Sequence, residues 1–208
     1  MSDPSTASVA EPRLQPDDVL VDAETIREHG TEALLGGPSL VLEIGFGRAE
    51  FVMEQARVRP EEAFLGVEVS RKRVQKASRR IARSGISNLR VVHATAEYLL
   101  ERVLPPESIS ECWINFPDPW PKKRHHRRRL GRDEVVPLLV RVLEPGAVLH
   151  LATDHTAYAE WIAATLAGTE SLRNLHAPLP WSKLPPERTR TAYEEEFLAA
   201  GRTIAYFE

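Results

Sequence analysis

Cysteine is nearly absent: Cys112 is the only one in 208 residues. A single thiol closes no internal disulfide and builds no thiolate metal site. A disulfide-stapled secreted domain and a zinc ribbon are thereby excluded, and a reducing cytoplasm is the expected setting. Also missing is any apolar run of about 18 residues, which excludes a transmembrane helix. The first residues lack a basic segment followed by an apolar stretch, so no secretory signal is read there. The histidines form no ligand cluster, and no metal is expected.

An even spread of charge is lacking too. The formal net charge is −3, yet residues 122–132 read KKRHHRRRLGR, with seven Lys/Arg, two His and no acid. Setting those seven aside leaves −10 on the rest of the chain. A concentrated basic block on an acidic body is the electrostatic footprint of a polyanion-binding protein. A solvated charged loop or a localisation signal is the competing reading.

What is present is an alternation of periods. Residues 1–16 are small, polar and proline-bearing, and read as a disordered tail; residues 17–208 read as one domain. Residues 17–38 are weakly helical and end in the turn Gly36-Gly37-Pro38. Short apolar runs at 40–44, 63–69, 89–93, 111–116 and 147–152 predict strands. Helical patterns fall at 49–57, 71–84, 96–103, 132–143 and 155–167; the second of these has a broad basic outer face. Strands alternating with helices predict a parallel sheet with helices on both faces. Residues 177–188 hold four prolines and read as a loop. A helix near 191–200 and a terminal strand at 203–207 complete the chain.

Two loops carry the chemistry. Glu43-Ile44-Gly45-Phe46-Gly47 closes the first of these strands and opens a helix. Glycines at that point let a ligand approach the backbone. A dinucleotide loop would place Gly or Ala three residues after its second glycine, but Glu50 stands there, and Glu43 would repel a diphosphate. Acid suits a cationic ligand without phosphate, such as S-adenosylmethionine. Glu68, ending the second strand, is placed to accept hydrogen bonds from two ribose hydroxyls; an exposed loop carboxylate is the plainer alternative. The second loop, Asn115-Phe116-Pro117-Asp118-Pro119-Trp120-Pro121, is stiffened by its prolines. Asp118 could accept from the N1–H and 2-amino group of a guanine, or merely cap the segment that follows.

The segment NFPDPWPKKRHHRRRL resembles the signature of the bacterial tRNA (guanine-N7)-methyltransferase family, and the resemblance extends over about residues 39–207. It implies a Rossmann-like class I S-adenosylmethionine-dependent methyltransferase fold, with a mostly parallel seven-stranded sheet and helices on both faces. It implies methyl transfer from S-adenosylmethionine, leaving S-adenosylhomocysteine, to N7 of a variable-loop guanine. The partner implied is tRNA and not a membrane, with no obligatory protein partner, in a monomer or homodimer. By the same resemblance Glu43, Gly45, Gly47, Glu68, Thr95 and Asp118 contact the cofactor, and Asp118 is catalytic. Lys122, Asp154, Thr191 and Glu194 bind substrate, and Arg124, His125, His126, Arg127, Arg128 and Arg129 contact RNA. Two positions depart from the family pattern. Thr95 stands where an Asp is usual, with Glu97 two residues on, and Ala49 where a third glycine often sits. Alanine there costs little unless φ is positive.

Read without the resemblance, Asp154 could cap the following helix, and Thr191 with Glu194 could form a capping box. Three rival functions share some of these features: methylation of an exocyclic amine, an RNA-binding protein on a relict methyltransferase fold, and a nicotinamide dehydrogenase.

Overall fold

The computed structural model describes residues 14–35, 40–119 and 134–208. Trp120, Pro121 and the basic run with Lys122, Arg124, His125, His126, Arg127, Arg128 and Arg129 lie outside the described residues, as do the turn at 36–38 and the first 13 residues of the expected tail.

Five strands form the centre: β2 (Leu40–Ile44), β3 (Ala63–Glu68), β4 (Leu89–His93), β5 (Ile109–Asn115) and β6 (Leu143–Thr153). With the two-residue β1 (Leu20–Val21) and β7 (Ala205–Phe207) they make a seven-stranded sheet of order β1-β4-β3-β2-β5-β6-β7. Only the β6–β7 pairing is antiparallel, in register at Ala152 and Tyr206. Strands β2 and β3 are buried on both faces throughout, as expected of a parallel sheet covered on two sides.

Alternate strand residues feed two cores. One face packs Leu42, Ile44 and Leu65 against helices α2 (Ala23–Leu35), α6 (Val136–Val142) and α7 (Thr156–Ala167). The other packs Val41, Phe64 and Trp113 against α1 (Pro16–Val19), α3 (Glu50–Val58) and α4 (Arg71–Ser84). Helix α4 follows the sequence pattern closely. Val74, Ala77, Ser78, Ile81 and Ala82 are buried on one side, and the chain stops at Gly85 in the left-handed region. Cys112 is a fully buried β5 residue.

Three departures from the sequence reading have local causes. Residues 17–38 contribute a strand as well as helices, because Leu20 and Val21 pair with Val91 and Val92 and cover the exposed edge of β4. The segment at 96–103 is a short α5 (Ala96–Tyr98) that widens into a π-helical turn (Leu99–Val103), whose Leu104 N–H bonds to the Leu99 carbonyl. Strand β6 begins at Leu143, earlier than 147, because Leu143 pairs with Ile109 before a register shift whose extra residues lie on β6.

The crossover between β2 and β5 makes the functional point. At β2 the strand order reverses, β3 and β4 lying on one side and β5 and β6 on the other. Open α/β sheets bind ligands at the carboxyl ends of strands flanking such a reversal.

Candidate active site

A cavity of about 470 Å³ opens at the carboxyl ends of β2, β3, β4 and β5. Gly45, Glu68, Thr95, Glu97, Asn115 and Asp118 all contribute to its lining. Residues spread over more than seventy positions of sequence are thus gathered by four successive strand ends.

The glycine loop is shaped by backbone geometry. Gly45 and Gly47 have φ of 76° and 54°, a region closed to most side chains. The Gly45 N–H donates to the Val67 carbonyl at 2.8 Å, and the Gly47 N–H to Glu68 at 3.1 Å. Between them Phe46 folds back over Gly66 of β3, where an added Cβ would lie 2.7 Å from its ring. Ala49 follows at φ 59° and is fully buried. The departure from glycine therefore falls on a left-handed residue, a conformation costing L-residues roughly 1–2 kcal/mol; the buried methyl offsets about 0.8 kcal/mol of it.

Glu68 is buried and already engaged, accepting from the Ser70 N–H at 2.9 Å and from Arg73 at 3.4 Å besides Gly47. An ionised carboxylate has about four acceptor sites, so room remains for a ligand hydroxyl. Thr95 caps α5, its hydroxyl accepting from the Tyr98 N–H. The carboxylate that this segment brings to the cavity is that of Glu97.

Glu43 does not line the cavity. Strand alternation turns its side chain to the opposite face, 3% exposed, where Asn115 donates to it at 3.2 Å. Asn115 lines the cavity and is the link between them. Burial pushes the Glu43 carboxyl up to about 7, against the pull of the Asn115 hydrogen bond and the charge of Arg188.

Asn115 leads into Arg188, whose guanidinium approaches the Asn115 side-chain oxygen at 3.4 Å and lies over the rings of Phe51 and Trp113. Arg188 bonds Glu194 at 2.8 Å, and Glu194 accepts from the Tyr206 hydroxyl at 2.7 Å. Thr191 and Glu194 form a capping box at the start of α8 (Ala192–Ala199). Glu194 is fully buried and presents no atom to the cleft. Nothing in the ERTRTAYE segment distinguishes Arg188 from the exposed Arg190, and nothing in NFPDPWP sets Asn115 apart from the rest of its loop.

The loop after β5 is bent at Phe116, which takes φ 50°, an outlier for a bulky side chain. Its N–H bonds the Ala152 carbonyl at 2.8 Å, and its ring meets Tyr193 of α8 edge-on, centroids 4.9 Å apart. The bend leaves Asp118 exposed at the mouth of the cavity. Asp154 follows β6, but the helix beyond is capped by His155, whose ring nitrogen accepts from the Tyr158 N–H. Asp154 instead lies near Tyr193, whose phenol is pushed up by burial and then by the Asp154 charge. Phe116, two residues before Asp118, thus meets Tyr193, and Tyr193 in turn feels the charge of Asp154.

Residues 38–207 match the protein family described as "Putative methyltransferase". A protein of Nitrosococcus oceani named tRNA (guanine-N(7)-)-methyltransferase is 48% identical over 137 residues, covering 64% of this chain and 58% of that one. A protein of the same name from Halorhodospira halophila is 42% identical over 164 residues, covering 79% and 71%. Among solved structures, an antibiotic-related methyltransferase superposes with a TM-score of 0.61 at 18% identity, over 85% of this chain and 91% of its own. The chain belongs to the methyltransferase family matched over residues 38–207, in which its curated relatives are tRNA (guanine-N(7)-)-methyltransferases.

Proposed function

We propose that this chain transfers a methyl group from S-adenosylmethionine to N7 of the variable-loop guanine of tRNA, in the cytoplasm. The observation carrying the reading is the cavity at the sheet reversal. Among the described residues, three acidic residues, Glu68, Glu97 and Asp118, line it with Arg73, which is itself paired with Glu68. Such a lining suits a ligand bearing a sulfonium and an ammonium and disfavours a diphosphate. The volume lies in the range of small-molecule sites, roughly 300–1,000 Å³.

S-adenosylmethionine, when bound, supplies a methyl carbon made electrophilic by its sulfonium. Gly45 and Gly47 give it backbone access, Glu68 accepts from its ribose, and Glu97, with Thr95 holding the turn, stands in for the acid usual after the third strand of the family pattern. Glu43 acts one residue removed, by fixing Asn115.

Guanine N7 has a lone pair and no proton to lose, so the chain needs no strong general base. Its task is alignment, which can supply several kcal/mol, up to about 7–11 in the best cases. Asp118 and Asp154 accept from the donors of the Watson–Crick edge. Those donors become more acidic as the ring turns cationic, so the contacts tighten as the methyl group moves. Thr191, at the start of α8, binds the substrate, and Glu194 contributes by holding Arg188. Lys122 and the arginines and histidines that follow it grip tRNA phosphates.

The test uses purified protein, labelled S-adenosylmethionine and unmodified tRNA, followed by borohydride and aniline. Chain cleavage at one variable-loop guanine is expected. In Asp118→Ala, turnover falls by about 10²–10³, the scale of losing one preorganised electrostatic contact, far more than cofactor affinity does. Label incorporated without cleavage would overturn N7 as the target in favour of an exocyclic amine.

A further inference from the structure

We infer that the outer face of α4 is a second tRNA-binding surface, separate from the basic run at 122–132; the inference rests on the reading of tRNA as substrate. Helix α4 carries seven Lys/Arg and no acid in fourteen residues. With the seven of residues 122–132, it accounts for 14 of the 27 basic residues of the chain, leaving 13 against all 30 acids. All seven α4 cations are exposed, and the buried side of the helix is apolar apart from Ser78.

A merely solvated helix face does not account for this composition. Solvated helices mix the signs of charge at i, i+4, whereas Lys72–Lys76, Lys76–Arg80 and Arg79–Arg83 are like-charge pairs that destabilise the helix. Arg71, Lys72 and Arg73 also occupy the first turn, where the helix dipole disfavours cations. Neutralisation within the fold is slight: Arg73 meets Glu68 and Arg80 meets Glu50. Among the described residues, Arg71, Lys72, Lys76, Arg79 and Arg83 pair with no carboxylate. A polyanion removes both costs at once.

The position of the helix selects the polyanion. Arg73 lines the candidate cofactor cavity and also the neighbouring groove between the glycine loop and α4, with Arg48, Lys72, Lys76 and Arg80. Lys76, Arg79, Arg80 and Arg83 continue the track down the helix. At 1.5 Å per residue, α4 spans about 20 Å, long enough to follow several phosphates leading away from the reaction site. An anionic membrane or an acidic face of a second copy offers no reason for the track to start at the cofactor cavity.

The test is the triple variant Lys76→Gln, Arg79→Gln, Arg83→Gln in the full chain, none of whose residues touches the cavity. Binding of unmodified tRNA is read by fluorescence anisotropy at several salt concentrations, apart from methyl transfer. Each phosphate contact contributes about 0.7–0.9 to the log–log salt slope. The slope should drop by about two to three and Kd should rise roughly tenfold or more. In methyl transfer, KM for tRNA rises while kcat at saturating tRNA and cofactor affinity stay within about twofold, and the melting temperature holds or rises as like-charge pairs are relieved. Arg79→Lys with Arg83→Lys keeps the slope. An unchanged slope and Kd in the triple variant overturns the surface. So does loss of binding to phosphatidylserine vesicles, or of self-association in sedimentation, with tRNA binding intact. A chain that binds tRNA through α4 yet methylates none overturns the proposed function and leaves this surface standing.

Discussion

The guanidinium of Arg188 sits 2.8 Å from the carboxylate of Glu194, with the two side chains only 3% and 0% exposed. The pair ties the loop before α8 to Asn115 on β5, and through Asn115 to Glu43 on β2. Polar residues from three distant parts of the sequence thus form one largely buried chain at the start of the loop after β5. Removing one member of a buried pair strands the other charge, at a cost of about 3–5 kcal/mol. Arg188→Met should therefore lower the thermal midpoint by about 10 °C, taking about 2–4 °C per kcal/mol for a domain this size. Adding Glu194→Gln to it should restore much of the loss. A shift no larger than that of an Arg190→Met control would show that the pair does not stabilise the fold.

Glu43 gives the stability a pH dependence of known sign. Burial raises its folded-state pKa to about 7 from the ordinary 4.5. The folded state then binds the proton more tightly than the unfolded one. This contribution is fully present below pH 4.5 and is lost as pH rises through 7. A difference of this size amounts to about 3 kcal/mol. Urea unfolding of the wild type and Glu43→Gln should show the variant gaining relative stability between pH 5 and pH 8. Parallel curves over that interval would mean that Glu43 does not titrate there.

Gly66 is an interior strand residue whose missing side chain makes room for Phe46. Gly66→Ala would drive a Cβ into that ring and displace the loop holding Gly45 and Gly47. Overpacking of this kind costs about 1–3 kcal/mol. Calorimetric titration with S-adenosylmethionine should show weakened binding together with a lowered melting temperature. Full affinity in the variant would detach the loop's conformation from the Phe46 contact.

Thr95 both caps α5 and lines the cavity. Asp caps at least as well as Thr and would add a carboxylate beside a cationic ligand. Thr95→Asp should tighten cofactor binding severalfold at unchanged stability, whereas Thr95→Ala should lose about 1 kcal/mol of stability with the cap. If Thr95→Asp weakens binding, Glu97 already fills that role and the added charge is superfluous.

The sequence by itself determined the alternation of strands and helices, because a period of two or a continuous apolar run cannot be confused with the stripe of α4 over this length. It also marked the two loops, whose glycines and prolines declare backbone geometry directly. The basic face of α4 and the charge of residues 122–132 were legible as composition. The tertiary structure alone decided which acids face the cavity. Glu43 and Ile44 are adjacent, yet strand alternation turns the Glu43 carboxylate away from the face of Ile44, which lines the cavity, and leaves Asn115 to connect it. Glu194 fits a capping box in one dimension, but only packing against Arg188 and Tyr206 shows that it is enclosed. The short strand at Leu20 and Val21 depended on the free edge of β4, and the positive φ of Ala49 and Phe116 on the turns around them. Local sequence carries period and turn chemistry. Long-range neighbours set burial, and burial determines whether a charge meets a ligand or another charge of the same chain.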